Sequence, residues 1–251
     1  MGKIFAIVNQ KGGVGKTTTA VNLAAALHDL GLRTLVCDFD PQANATSGLG
    51  IEKRKVEKTV YDMIIDGADP REVIIPTDFS DVMPSCGDLA GAAVELISMP
   101  DREKVLKKAL NEVRADYDCI FIDCPPSLEL LTLNALVAAD NIVVPVQCEY
   151  YALEGLADLM TTLRAVKRKL NPTLDLYGVI LTMFDGRTNF SNQVAQEVRR
   201  HFPGKVFANV IPRNVRLAEA PSHGLPVMNY DRSSRGAKSY KALAEEFQKK
   251  L

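Results

Sequence analysis

The chain has 251 residues, 47% of them apolar and 24% charged, and a net charge of −1. Those totals fit one large α/β domain or two small ones, with apolar surface enough for a two-sided sheet; nothing in the chain looks like a linker, so a single domain spanning 1–251 is expected. The near-neutral total hides an asymmetry: residues 164–251 carry 16 Lys and Arg against 7 Asp and Glu, and residues 1–163 carry 14 against 24. A basic last third points to a polyanion partner or to a merely solvated face.

Cys37, Cys86, Cys119, Cys124 and Cys148 form no Cys-x-x-Cys pair and mostly fall in or beside apolar runs, the pattern of buried, reduced thiols. The stretch before Asn9 is too short for a signal peptide, and no apolar run approaches the ~18 residues of a membrane span, so a soluble, intracellular protein is expected.

In chain order, Ile4 to Val8 reads as a strand and Ala20 to Leu30 as a helix, with KGGVGKTT (Lys11 to Thr18) between them. Gly12, Gly13 and Gly15 let backbone N–H groups turn inward around an anion. Lys11, Gly12, Gly13, Val14, Gly15, Lys16, Thr17 and Thr18 thus form a candidate phosphate cradle, in which Lys16 reaches the terminal phosphates and the Thr17 hydroxyl ligates Mg²⁺. The standard pattern has a glycine five residues before Gly15; here that position is Gln10, and a second lysine, Lys11, stands at the mouth of the loop.

Arg33 to Asp38 reads as a central parallel strand, followed by DFDPQ and by a small, polar, mobile loop over Gln42 to Gly50. A short helix is expected over Thr59 to Ile65, then strand pieces near Val73 to Ile75 and Val82 to Pro84. Helices follow over Asp88 to Ile97 and Asp101 to Ala115, each opened by its aspartate. Asp118 to Asp123 is a buried strand, Leu128 to Ala138 a helix, Asn141 to Val146 a strand, and Ala152 to Leu170 an amphipathic helix stopped by Asn171-Pro172. The remaining expectations are a strand over Leu176 to Met183, a helix over Asn189 to Phe202, a strand over Val206 to Val210, and helices over Val215 to Ser222 and Arg235 to Leu251.

Strands alternating with helices predict a doubly wound, mostly parallel sheet with helices on both faces, and ligands beyond the C-terminal ends of its strands. Three carboxylates gather there. Asp123 is placed to hold Mg²⁺ directly or through its water, Asp38 is a second candidate for the metal, and Asp40 is the better one to orient water. Each aspartate taken alone could be a solvated strand end or a helix cap.

KGGVGKTT at 11–18, DFDPQANATSGLG at 38–50, IDCPPS at 122–127, PVQCEYYALEG at 145–155 and IPRNVRLAEAPSHG at 211–224 together resemble the ParA/Soj chromosome- and plasmid-partition ATPases. These are deviant P-loop ATPases related to MinD and to the nitrogenase iron protein. The resemblance implies Mg²⁺ and ATP as cofactors and a nucleotide-sandwich homodimer, in which Lys11 reaches the partner subunit's phosphates and Gly12 lies where the subunits approach. It assigns Asp40 to hydrolysis, Asp123 to Mg²⁺, and Pro212, Arg213 and Asn214 to the adenine. It further implies non-specific double-stranded DNA as a partner, contacted by Arg187 and Arg216, hydrolysis stimulated by a ParB-type protein, and a cytoplasmic, nucleoid-associated location. Arg213, Arg235, Lys238 and Lys241 are weaker DNA candidates from charge alone. With no amino-terminal helix-turn-helix segment in view, operator-specific repression is not expected.

A MinD-like membrane-cycling ATPase would need a lipid-facing basic C-terminal helix. The stripe Tyr240, Leu243, Ala244, Phe247 and Leu251 has few bulky apolar residues and has Glu245 and Glu246 beside it, so it reads as a helix packed on the core and no membrane partner is expected. An iron–sulfur ATPase would need cluster cysteines in a setting that neither Cys86 nor Cys124 resembles, and a metabolic ATP-dependent ligase or kinase would need neither Lys11 nor a basic last third.

Overall fold

The computed structural model describes residues 2–149 and 152–251; Tyr150 and Tyr151 of the PVQCEYYALEG block lie outside the described residues, as does Met1. Six parallel strands, β1 (Lys3–Ile7), β2 (Thr34–Asp38), β3 (Asp81–Met83), β4 (Cys119–Asp123), β5 (Asn141–Gln147) and β6 (Asp175–Thr182), form one sheet in the order β3-β2-β4-β1-β5-β6. The expected doubly wound α/β architecture is therefore present. The helices are α1 (Lys16–Asp29), α2 (Asn44–Gly48), α3 (Pro70–Val73), α4 (Leu89–Leu96), α5 (Val105–Val113), α6 (Leu130–Ala138), α7 (Ala152–Lys169), α8 (Asn189–His201), α9 (Val215–Glu219), α10 (Val227–Tyr230) and α11 (Arg235–Gln248).

Alternation along the strands divides the core between the two faces. Ile4, Ala6 and Val8 face the layer that contains α5, α6 and α7, and Phe5 and Ile7 face α1 and α11. On the second face Phe5, Phe121, Tyr177, Phe207 and Phe247 stack or meet edge to face, with centroids 4.6–6.3 Å apart. This cluster and the Thr19–Tyr240 hydroxyl contact of 3.2 Å fix α11 against α1. Tyr240, Leu243, Ala244 and Phe247 are at most 1% exposed, so the apolar stripe of α11 belongs to the core. No described helix is long and apolar enough to cross a membrane.

Several local expectations are corrected. The stretch 42–50 is not a loose loop, because the five-residue helix α2 forms within it and is held by Thr46, whose amide and hydroxyl both donate to Asp38 Oδ2. The helix expected from Thr59 contains a π-helical turn over Asp62–Asp66, ended by Gly67 at φ +73°. Val73 closes α3, whose first turn is set by the Asp69 cap and Pro70, and only Ile75 pairs, in an isolated antiparallel bridge to Val82. Asp101 does not open α5. It sits at φ +53° with its carboxylate on Lys104 and Lys108, and the helix starts at Val105.

Val206 to Val210 makes no ladder. Val206 bridges Val179 and the Phe207 amide donates to the Val179 carbonyl, but the amides of Ala208 and Asn209 donate to the Glu246 carboxylate and the pairing stops there. The helix expected over Val215 to Ser222 is α9 followed by a 3₁₀ turn over Ala220–His223. That turn ends at Gly224 (φ +65°), which meets Gly50 (φ +84°) backbone to backbone; a Cβ on Gly224 would lie 2.7 Å from Gly50 Cα.

Candidate functional site

The site is built by where three neighbouring strands stop. In the sheet Asp123 is level with both Ile7 of β1 and Asp38 of β2, so the loop leaving β1 and both carboxylates emerge at one edge. The loop rises over that edge and enters α1, whose N-cap is Gly15 at φ +91°, with Gly13 at φ +72°; these are the turns that need glycine. Asn9 stabilises the entry, accepting from the Lys11 amide at 3.0 Å and donating to the Pro145 carbonyl at 2.8 Å. The Thr182 hydroxyl holds the Val14 carbonyl at 2.8 Å from β6.

Lys16 folds back over the loop, 7% exposed, and its ammonium donates to the Lys11 carbonyl at 3.0 Å. Burial lowers its pKa, against the raising effect of Asp123 and Asp40. Below it Asp123 is fully buried with both carboxylate oxygens lacking a well-formed hydrogen bond among the described residues. Burial, then the Asp38 charge, pushes its pKa well up, and the neighbouring Thr17 hydroxyl offsets only part of this.

An orphaned buried carboxylate beside a lysine and a threonine hydroxyl is chemistry that suits a hard cation. No group of three or more His, Cys, Asp or Glu able to hold a metal occurs among the described residues. Mg²⁺ usually takes one or two carboxylates and completes its shell with phosphate and water, a role open to Asp123 beside the Thr17 hydroxyl.

Asp38, also buried, is pushed up to about 6 by desolvation, against the hydrogen bonds from Thr46 and the Asp40 amide. Asp40, whose charge is felt at Lys16, accepts from the Gln42 amide through Oδ1 at 2.9 Å. Two groups that the sequence did not single out complete this corner: Thr46, and Ser85, whose hydroxyl donates to the Asp40 carbonyl at 2.8 Å. Thr46 was hidden in a small polar stretch and Ser85 in an irregular one.

The Lys11 ammonium lies 3.4 Å from Glu149 at a half-exposed position. Gly12 is exposed, and a Cβ there would meet only Pro126 Cβ, at 4.0 Å. Pro212, Arg213 and Asn214 border a cavity of about 490 Å³ that begins at Gly15 and Thr18 and is closed by Thr182, Ile211 and Tyr240. The phosphate loop and the expected base-contact segment thus share one space.

Arg187 and Arg216 come from chain segments joined by the Phe184–Pro212 bridge. Both are exposed and tied to carboxylates, Arg187 to Asp185 at 2.8 Å, and Arg216 to Glu219 at 2.7 Å and Asp231 at 3.3 Å. The rest of the basic excess divides. Lys167, Arg168 and Lys169 end α7 and Arg199 and Arg200 end α8. These helix ends, with Lys205 hydrogen-bonded to the Leu176 carbonyl, lie at the strand-start end of the sheet, where cations offset helix dipoles.

Fold and loop together define the class: this is a P-loop nucleotide-binding protein of the deviant kind, with a lysine at the loop's mouth. The chain is 58% identical over 248 residues, covering 98% of both chains, to the sporulation initiation inhibitor protein Soj of Bacillus subtilis. It is 52% identical over 252 residues, covering 100% of this chain and 89% of the other, to the chromosome partitioning protein ParA of Myxococcus xanthus. The chain belongs to the ParA/Soj family of chromosome-partitioning ATPases. A family model described as an AAA domain matches residues 2–176. Among solved structures, cobyrinic acid a,c-diamide synthase from Mycobacterium smegmatis with bound ADP and magnesium superposes with a TM-score of 0.85 at 36% identity, covering 98% of this chain and 93% of that one.

Proposed function

We propose that the chain is a Mg-ATP-driven partition switch that dimerises around ATP, binds DNA without sequence preference in that state, and is reset by hydrolysis that a ParB-type partner stimulates, in the cytoplasm and on the nucleoid. The observation that carries the reading is Asp123, a buried carboxylate without a well-formed hydrogen bond at the floor of a phosphate loop. In this reading Gly12 to Thr18 cradle the phosphates, Lys16 neutralises them, and Thr17 and Asp123 hold Mg²⁺, with Asp38 behind them. Bound Mg²⁺ supplies charge neutralisation on the transferring phosphoryl group. Asp40 orients the attacking water, and the cavity beside Pro212 to Asn214 takes the adenosine.

Dimerisation is supported by Lys11 and Gly12. Lys11 stands at the mouth of the loop with its ammonium in a half-exposed ion pair to Glu149, a kind of contact worth on the order of 0–1 kcal/mol. Gly12 is exposed, with only Pro126 Cβ at the edge of contact at 4.0 Å, where a second backbone can approach. Arg187 and Arg216 contact DNA phosphates, exchanging their present carboxylate partners for them. Identity to the two partition proteins exceeds that to the Mycobacterium smegmatis synthase.

Sedimentation with and without Mg-ATP, beside Asp40→Ala, followed by a DNA titration across salt, tests this. The expected result is an ATP-dependent dimer that binds DNA and persists in Asp40→Ala. A monomer under all conditions, or DNA binding indifferent to ATP, would overturn the reading.

A further inference from the structure

Resting on the hydrolytic role of the site, we propose that Thr46 is a positioning residue for that reaction: it fixes Asp38 and, through Ser85, the backbone of Asp40, without itself reaching the nucleotide. Thr46 is 0% exposed, which removes it from direct contact with any ligand in the loop.

The argument starts from what a buried carboxylate needs. Asp38 stands level with Asp123, a like charge, in a place that water does not reach. Protein donors must therefore set its orientation. Thr46 supplies two of them, amide and hydroxyl, at 2.7 and 2.6 Å, both to Oδ2, while Oδ1 accepts from the Asp40 amide at 3.3 Å.

A hydroxyl has one proton to give and can also accept. Thr46 uses both functions. Its proton goes to Asp38, and its oxygen accepts from the Ser85 amide at 3.0 Å. The Ser85 hydroxyl in turn donates to the Asp40 carbonyl at 2.8 Å, which also accepts from the Ala43 amide at 2.8 Å. Asp38, Thr46, Ser85 and Asp40 thus close a ring of hydrogen bonds that draws on β2, α2 and the segment after β3.

Asp40 rides on a loop whose two ends, Asp38 and Thr46, are pinned to each other. A displacement of about 1 Å in a water-orienting group lowers a rate by roughly 100-fold. Serine at position 46 can make both bonds of the threonine hydroxyl; valine, of the same shape, can make neither.

The test compares wild type, Thr46→Val, Thr46→Ser and Ser85→Ala for affinity toward a fluorescent ATP analogue with Mg²⁺, and for ATP hydrolysis at saturating Mg-ATP and DNA. Circular dichroism melts identify the folded variants. Thr46→Val is expected to keep nucleotide affinity and to lose hydrolysis roughly 10–100-fold, the range seen when a group orienting a functional carboxylate or metal ligand is removed. Thr46→Ser should restore most of the rate, and Ser85→Ala should lie between.

If Thr46→Val does not fold, Ser85→Ala carries the test, with nucleotide affinity kept and a smaller loss of rate expected, and a wild-type rate in it overturning the proposal. A wild-type rate in a folded Thr46→Val, a parallel loss of affinity and rate, or a Thr46→Ser no faster than Thr46→Val overturns the proposal. A wild-type chain that binds ATP without turning it over would sink the switch reading as well, which separates the two failures.

Discussion

Asp123→Asn should make the free protein more stable while removing its response to Mg-ATP. The wild-type side chain is a fully buried carboxylate without a well-formed hydrogen bond, raised in pKa by burial and then by the charge of Asp38. Replacing it with an amide removes a buried like charge but leaves amide protons to satisfy, so the net gain is set at roughly 1–3 kcal/mol. For a chain of this size that is a rise in Tm of roughly 2–4 °C per kcal/mol.

The pH dependence gives a second handle with a definite sign. Asp38 is raised from 3.8 to about 6, a difference of about 3 kcal/mol between its protonated and ionised forms. Between those values the folded chain holds a proton that the unfolded chain has released. This contribution to stability is complete below about 4 and is lost as pH rises through about 6.

The sequence has no tryptophan, so melts followed by circular dichroism from pH 4 to 8, with and without Mg-ATP, are the assay. A variant less stable than wild type at pH 7.5, or one that gains as much Tm from Mg-ATP as wild type does, would refute the assignment of Asp123 as a cation site.

At the other end of the sheet, Asn171 is 2% exposed and its side-chain amide donates to the carbonyls of Leu136, Val137 and Ala139, at the end of α6. Asn171→Ala leaves those acceptors unsatisfied and should lower stability by about 1–3 kcal/mol in urea unfolding, with an unchanged midpoint counting against the assignment. Arg187→Ala combined with Arg216→Ala should weaken ATP-dependent DNA binding and flatten the log–log salt slope by about 0.9 for each phosphate contact removed. An unaltered slope would place the DNA surface elsewhere.

The phosphate loop, the central strands and the three carboxylates were legible because each depends on residues with few alternatives. Glycine supplies left-handed turns, apolar runs make buried parallel strands, and an aspartate after such a run marks a strand end. What was not legible depended on partners distant in sequence. The helix α2 exists because Thr46 finds Asp38, and the run from Val206 falls short of a strand because Glu246, 38 residues beyond Ala208, takes the amides of Ala208 and Asn209. Charge was legible in amount but not in place, since α7 and α8 carry much of the basic excess to the end of the sheet away from the loop. Asp101, which looks like a cap, is diverted by Lys104 and Lys108.

The contact between Gly50 and Gly224 has a mechanical meaning. Where side chains touch, a shift on one side can be absorbed by a rotamer change on the other, and the disturbance dies out within a residue or two. Two bare backbones have no such slack. The segment leaving Asp40 through α2 and the one leaving Arg216 through α9 abut at this point, so neither can advance toward the other without moving it bodily. The meeting of two glycines works as a push-rod bearing, stiff in compression and free of friction from side chains, between the corner around Asp40 and the segment that carries Arg216.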